Sequence, residues 1–217
     1  MRRYQNIGFI PDWERVVSPV VDYVLTEKSH VVDKDRLVLL GNSFGGYLAA
    51  RAAAFEPRLS AAVLIPGLWD TYESFARQVP SEILAMYEAG NYSRFDNEIL
   101  SLREAGKLST NAAWGLDQGL WSFCTHSPSE FFTESKQFRL NQELTDQIQM
   151  PVFIGAGEYD QLTPGQAQPV KDALGDKGTF HQFNGTSGYH VQTAALQDLS
   201  RAMFAWLNKT LGKAGDE

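Results

Sequence analysis

At 217 residues, with 43% hydrophobic and 21% charged side chains, the chain is sized for one ordinary globular domain and is too short for two comfortable ones. A formal charge of -7 offers no basic face to phosphates, which argues against nucleic acid or an anionic membrane as a partner. The single cysteine, Cys124, permits no internal disulfide and suits a reduced setting, so a cytoplasmic location is expected. The basic opening MRR has no apolar stretch behind it and does not read as a secretion signal. No run is long and apolar enough to span a bilayer.

The first expected element is a helix from Asp12 to about Lys28, with Val16, Val17, Val20, Val21, Val24 and Leu25 at helical spacing. Pro19 should kink it, since proline removes an amide donor and crowds the preceding turn. Arg36–Leu40 is a short apolar run read as a strand, followed at once by the turn Gly41–Gly46 and an alanine-rich helix over Tyr47–Phe55. Ser60–Ile65 is the next strand. From Trp69 to about Gln149 helix formers and aromatics replace strand alternation. Strands are expected again at Pro151–Ala156 and Thr179–Phe183, with a helix at Gly165–Leu174 between them and a last helix over Val191–Leu211. This alternation predicts an α/β fold, a parallel sheet of about four strands covered by helices on both faces. The expected division is a sheet-forming core at 1–68 and 150–217, interrupted by a helical cap insertion at 69–149.

Gly41-Asn42-Ser43-Phe44-Gly45 matches G-x-S-x-G in the context that motif requires, a strand before and a helix after. Turning a strand directly into a helix brings the positions two before and two after the serine together, so Gly41 and Gly45 are expected to be small for steric reasons. Ser43 is then held in a strained backbone region with its hydroxyl exposed. The helix N-terminus points at the reaction centre, with the Phe44 amide as the expected oxyanion donor.

A nucleophilic serine needs a base, and the base needs a carboxylate to orient it. The strand at 151–156 is followed by Gly157-Glu158-Tyr159-Asp160, and the strand at 179–183 by a loop ending in His190. Asp160 and His190 therefore stand in the order serine, acid, histidine, each after a later strand. Glu158 is a rival acid two residues earlier, and Asp160 could also simply open the turn before Thr163-Pro164-Gly165. Among the other histidines, His30 lies in a polar stretch, His181 inside a strand and His126 in the helical insertion. No metal or nucleotide motif competes: there is no H-E-x-x-H, no cysteine pair, no G-x-G-x-x-G and no P-loop lysine. Cys124 is expected to pack rather than react. Trp114, Trp121, Phe123, Phe131 and Phe132 are expected to build the core of the insertion, with Trp114 and Trp121 as candidates for a substrate-pocket wall.

These residues, together with Pro11-Asp12-Trp13-Glu14, Arg51 and the closing Phe204-Ala205-Trp206-Leu207, resemble the α/β-hydrolase superfamily over nearly the whole chain. The branch it looks most similar to contains 2,6-dihydroxypseudooxynicotine hydrolase and fungal polyketide-shortening hydrolases of melanin pathways. The resemblance implies a Ser-His-Asp hydrolase that cleaves a carbon–carbon bond beside a ketone, or an ester, in a small aromatic or polyketide-like substrate, with no metal or organic cofactor. A prolyl-oligopeptidase-like peptidase is the alternative, and an inactive fragment acting only by binding or pairing is another.

In that family the helix bearing Pro-Asp-Trp-Glu follows several strands, whereas here it begins at residue 11, and about eight strands are implied where four are read. The chain is therefore expected to be a truncated or wrongly bounded gene product, or a shortened paralogue, holding the second half of the fold. Its first strand would then be an open apolar edge, available to a homodimer.

Overall fold

The structure is a computed structural model that describes residues 7–212; the basic opening segment lies outside the described residues. Four strands form one sheet in the order β1-β2-β3-β4, all parallel: β1 (Val38–Asn42), β2 (Ala61–Ile65), β3 (Val152–Gly157) and β4 (Gly178–Phe183). The register runs from Val38 opposite Ala61 to Asn42 opposite Ile65 on one side of β2, and places Val63 opposite Phe153 on the other. β2 is apolar throughout, AAVLI, because all five of its residues are buried and both of its faces are covered.

Contacts divide the chain into two compact units. One comprises Pro11–Trp69 and the residues from Leu140 onward; the other comprises Asp70–Arg139 with the described residues up to Ile10. Residues 7–10, Trp69 and residues 140–149 are thereby grouped differently from the expected division at 68/69 and 149/150.

In the sheet unit, α1 (Glu14–Glu27) runs unbroken through Pro19, α2 (Gly45–Phe55) packs on β1 and β2, and α9 (Ala167–Leu174) packs on β3 and β4. The strand period of two sends Val63, Ile65, Phe153 and Phe183 to the face shared with Leu199, Met203 and Trp206 of α10 (Leu196–Leu211). Fully burying a side chain such as Phe153 is worth roughly 1.5–3 kcal/mol, so this face ties α10 to β2, β3 and β4. The acidic start of α1 has a partner: Arg51 on α2 binds both carboxylate oxygens of Glu14 at 2.9 Å and Asp12 at 2.9 Å. Burial alone would raise the Glu14 carboxyl, but the Arg51 hydrogen bonds and charge outweigh it and hold it below the usual range.

The expected helix over Val191–Leu211 begins only at Leu196. Val191 and Gln192 instead sit at φ +48° and +51° in a tight turn that carries His190, a conformation costly for a β-branched residue and incompatible with the right-handed α-helix. β1 is an edge strand among the described residues, and Leu40 on it is exposed.

The helical unit contains α3 (Thr71–Ala76), α4 (Ser81–Glu88), α5 (Tyr92–Glu104), α6 (Thr110–Ser122) and α7 (Pro128–Ser135); α8 (Gln142–Gln147) belongs to the sheet unit. Asp70, Ser109 and Ser127 cap α3, α6 and α7, each accepting the amide three residues on. The core is aromatic: Phe131 and Phe132 are buried with Tyr87 and Phe95, and Phe75 meets Phe131 edge-on at 4.8 Å. Trp114 and Trp121 do not contribute to it as expected. They are 56% and 50% exposed, seven residues apart and so on the same outward side of α6. Cys124 is likewise exposed, at φ +60°, rather than packed.

Two glycines on α6 make opposite predictions. A Cβ on Gly119 would stand 2.4 Å from the Phe131 ring, whereas one on Gly115 would meet nothing within 4 Å. Gly119→Ala should destabilise the protein by about 1–3 kcal/mol through overpacking, and Gly115→Ala should stabilise it by about 0.5–1 kcal/mol through helix propensity. Thermal unfolding of the two variants checks the contrast.

Candidate active site

The serine is presented by the junction of β1 and α2. Ser43 adopts φ +56°, its amide donates to the Ile65 carbonyl at 2.6 Å, and its carbonyl accepts the Gly46 amide at 2.9 Å. A non-glycine residue held there costs of order 1–3 kcal/mol. Phe44 is the N-cap of α2, so its amide sits at the positive end of that helix.

The steric constraint falls on Gly41 and Gly46, not on the expected pair Gly41 and Gly45. A Cβ on Gly41 would stand 1.9 Å from the Gly45 carbonyl oxygen, but a Cβ on Gly45 would meet nothing within 4 Å. The second position that admits no side chain is Gly46, where a Cβ would lie 1.9 Å from the Pro66 carbonyl oxygen. Gly46 follows the five-residue pattern and is invisible to it, because the atom it avoids belongs to the loop after β2.

Ser43 Oγ lies 2.7 Å from His190 Nε2, and His190 Nδ1 lies 2.8 Å from Asp160 Oδ2. All three side chains belong to the sheet unit, each at the carboxyl end of a strand or in the loop beyond it. Asp160 is 7% exposed. Its Oδ1 accepts the amides of Leu162 at 2.9 Å and Thr163 at 3.1 Å, and its Oδ2 accepts the Thr163 hydroxyl at 2.7 Å. Burial pushes the Asp160 carboxyl up, yet the hydrogen bond and charge of His190 and the donations from Thr163 outweigh it and hold it below the ordinary value. The aspartate thus both opens a turn and faces the histidine; the two readings of the sequence are compatible.

Glu158, the rival acid, is exposed and turned elsewhere. Its carboxylate accepts the Gly185 amide at 3.3 Å and the Tyr159 hydroxyl, which raises the Tyr159 phenol. The acid and histidine loops are themselves in close contact: the Tyr159 amide donates to the Gly188 carbonyl at 2.7 Å, and a Cβ on Gly157 would lie 2.5 Å from the same oxygen.

The other histidines stand apart from this series. His30 and His126 are exposed, and His181 stacks on Phe153 in β4, where burial lowers its imidazole. A cavity of about 350 Å³ lies beside the acid loop, lined by Pro66, Glu158, Asp160, Thr163, Gln182 and Asn184 among others. Among the described residues no cluster of three or more His, Cys, Asp or Glu is placed to hold a metal ion, and no helix is long and apolar enough to cross a membrane.

No family model matches the chain. It is 32% identical to "Hydrolase LUC6" of Fusarium sp over 226 aligned positions, covering 99% of this chain and 53% of that protein. It is 30% identical to "20-hydroxy-prefusarin hydrolase FUS2" of Gibberella moniliformis, covering 92% of this chain and 49% of the relative. The chain therefore spans about half the length of the curated relatives it matches. The crystal structure of 2,6-dihydroxy-pseudo-oxynicotine hydrolase has the same fold, with a TM-score of 0.65 at 20% identity over 95% of this chain and 48% of that one.

The glycine geometry predicts a split among three variants. Gly41→Ala and Gly46→Ala should lose the turn that presents Ser43 and with it any reactivity of its hydroxyl, while Gly45→Ala should keep the turn. Intact-mass detection of a covalent serine adduct on each folded variant makes the comparison.

Proposed function

We propose that this chain, which belongs to the α/β-hydrolase superfamily, is a serine hydrolase acting on a carbonyl carbon of a small organic substrate. The observation that carries the reading is the continuous series from Ser43 Oγ through His190 to Asp160, with links of 2.7 and 2.8 Å. Both lie within the reach a general base and its orienting carboxylate require.

In the reaction proposed, His190 Nε2 takes the Ser43 proton as Oγ adds to the carbonyl carbon. Asp160 holds Nδ1–H, keeps the imidazole in the tautomer whose Nε2 is free to accept, and stabilises the imidazolium that forms. The Phe44 amide is the donor proposed for the developing oxyanion. Collapse of the adduct breaks the bond to the leaving group, which departs with the proton from His190. The leaving group is an alcohol from an ester, or an enolate carbon from a β-diketone. Water then adds to the acyl-serine with His190 as base, releasing a carboxylic acid and restoring Ser43.

The small-molecule substrate class is supported by the names of the relatives, which include hydrolases of 20-hydroxy-prefusarin and of 2,6-dihydroxy-pseudo-oxynicotine. A carbonyl compound of polyketide type is the substrate proposed here.

Turnover of a panel of aryl esters and aryl β-diketones, followed by product mass, tests the reading. Ser43→Ala should abolish turnover. Asp160→Asn should lower kcat by about 10⁴-fold with KM little changed, because the histidine is left in the wrong tautomer. Turnover that survives in Ser43→Ala would refute the assignment.

A further inference from the structure

Asp160 Oδ2, the oxygen that faces the histidine, has two donors: His190 Nδ1 at 2.8 Å and the Thr163 hydroxyl at 2.7 Å. The other oxygen, Oδ1, is held by backbone amides alone, those of Leu162 and Thr163. All the accepting directions of the carboxylate are therefore occupied, as a buried charge requires. The two backbone donors neutralise charge on Oδ1 whatever side chains the loop carries. The hydroxyl acts on the oxygen that orients the imidazole.

Thr163 is also unusually constrained in delivering that hydroxyl. Pro164 follows it and confines its backbone to extended conformations, and Gly165 beyond takes φ +75° to turn the chain into α9. Its own amide is already anchored to Asp160 Oδ1. The residue thus grips both carboxylate oxygens, one through the backbone and one through the side chain, and fixes the rotation of the carboxylate about its last torsion. That torsion is otherwise broad, and a rotated carboxylate would point Oδ2 away from Nδ1.

We propose that Thr163 is a positioning residue of this site: its hydroxyl holds Asp160 Oδ2 on the His190 Nδ1–H and shares the charge of that oxygen, so the proton stays on the imidazole. The proposal rests on the hydrolase reading above for its effect on rate, and on geometry alone for its effect on the Asp160–His190 bond. The hydroxyl is turned onto Asp160 Oδ2, so the effect expected is on kcat through His190 rather than on substrate binding.

The test compares wild type with Thr163→Val, which keeps the volume and removes the donor, and with Thr163→Ser, which keeps the donor. One readout is hydrolysis of p-nitrophenyl acetate. The other is the low-field proton resonance of the His190 Nδ1–H, assigned by its loss in Asp160→Asn. Thr163→Val should lower kcat about tenfold, the equivalent of one hydrogen bond, with KM unchanged, and should displace the low-field resonance. Thr163→Ser should restore both.

If Thr163→Val does not fold, Thr163→Ala removes the donor without placing a methyl against the carboxylate. An unmoved resonance with an unaltered kcat would overturn the proposal, as would a serine variant as impaired as the valine one. If the wild-type chain proves inactive on every substrate, the hydrolase reading fails by itself. The resonance still decides for or against Thr163, because it needs no turnover.

Discussion

Ser43 can be displayed only because two backbone approaches leave no room for side chains, Gly41 against the Gly45 carbonyl and Gly46 against the Pro66 carbonyl. The junction pulls a strand end onto a helix start and onto the loop that leaves the neighbouring strand. Its strain, of order 1–3 kcal/mol for one residue at positive φ, is met by burial around it: β2 is fully buried, and Tyr47 on the first turn of α2 is buried with its hydroxyl on the Pro11 carbonyl. Burial also pushes the Tyr47 phenol up to about 12. Arg51 farther along α2 ties α1 to the same helix through Glu14 and Asp12. The position of Ser43 is thus a consequence of packing in the sheet unit rather than of the turn alone.

A second constraint is electrostatic. Asp160 is buried and charged, and such a group is tolerated only when hydrogen-bonded and paired. Three donations from Leu162 and Thr163 satisfy it, and His190 completes the set. The histidine is brought to it by a loop whose strained residues, Val191 and Gln192, follow immediately. Two sites of positive φ, at Ser43 and just after His190, therefore flank the 2.7 Å contact between their side chains. Such clustering of backbone strain is the pattern expected where side-chain placement is the purpose of the local fold.

Much of this was legible in the residues. The apolar runs in the sequence lie within two residues of the four observed strands, because short apolar runs bounded by Gly, Pro and Asn carry a strong signal. Strand ends and chain order point to Ser43, Asp160 and His190, whose side chains lie in series at 2.7 and 2.8 Å. What stayed hidden depends on contacts distant in sequence. Gly46 avoids a carbonyl twenty residues away, and nothing in G-x-S-x-G marks it. The late start of α10 follows from the left-handed turn at Val191 and Gln192, which a helical run of apolar residues conceals. Trp114 and Trp121 look like core by residue type alone, yet Phe95, Phe131 and Phe132 fill the helical unit and leave both tryptophans on its exterior.

The claim at the centre of this account is that Ser43 is activated by residues of this same chain. Treating the folded protein with a fluorophosphonate probe and reading its intact mass beside Ser43→Ala tests it most directly. The account predicts one adduct per wild-type chain and none on the variant. A folded wild-type chain that takes no adduct, or an adduct that persists in Ser43→Ala, would contradict it.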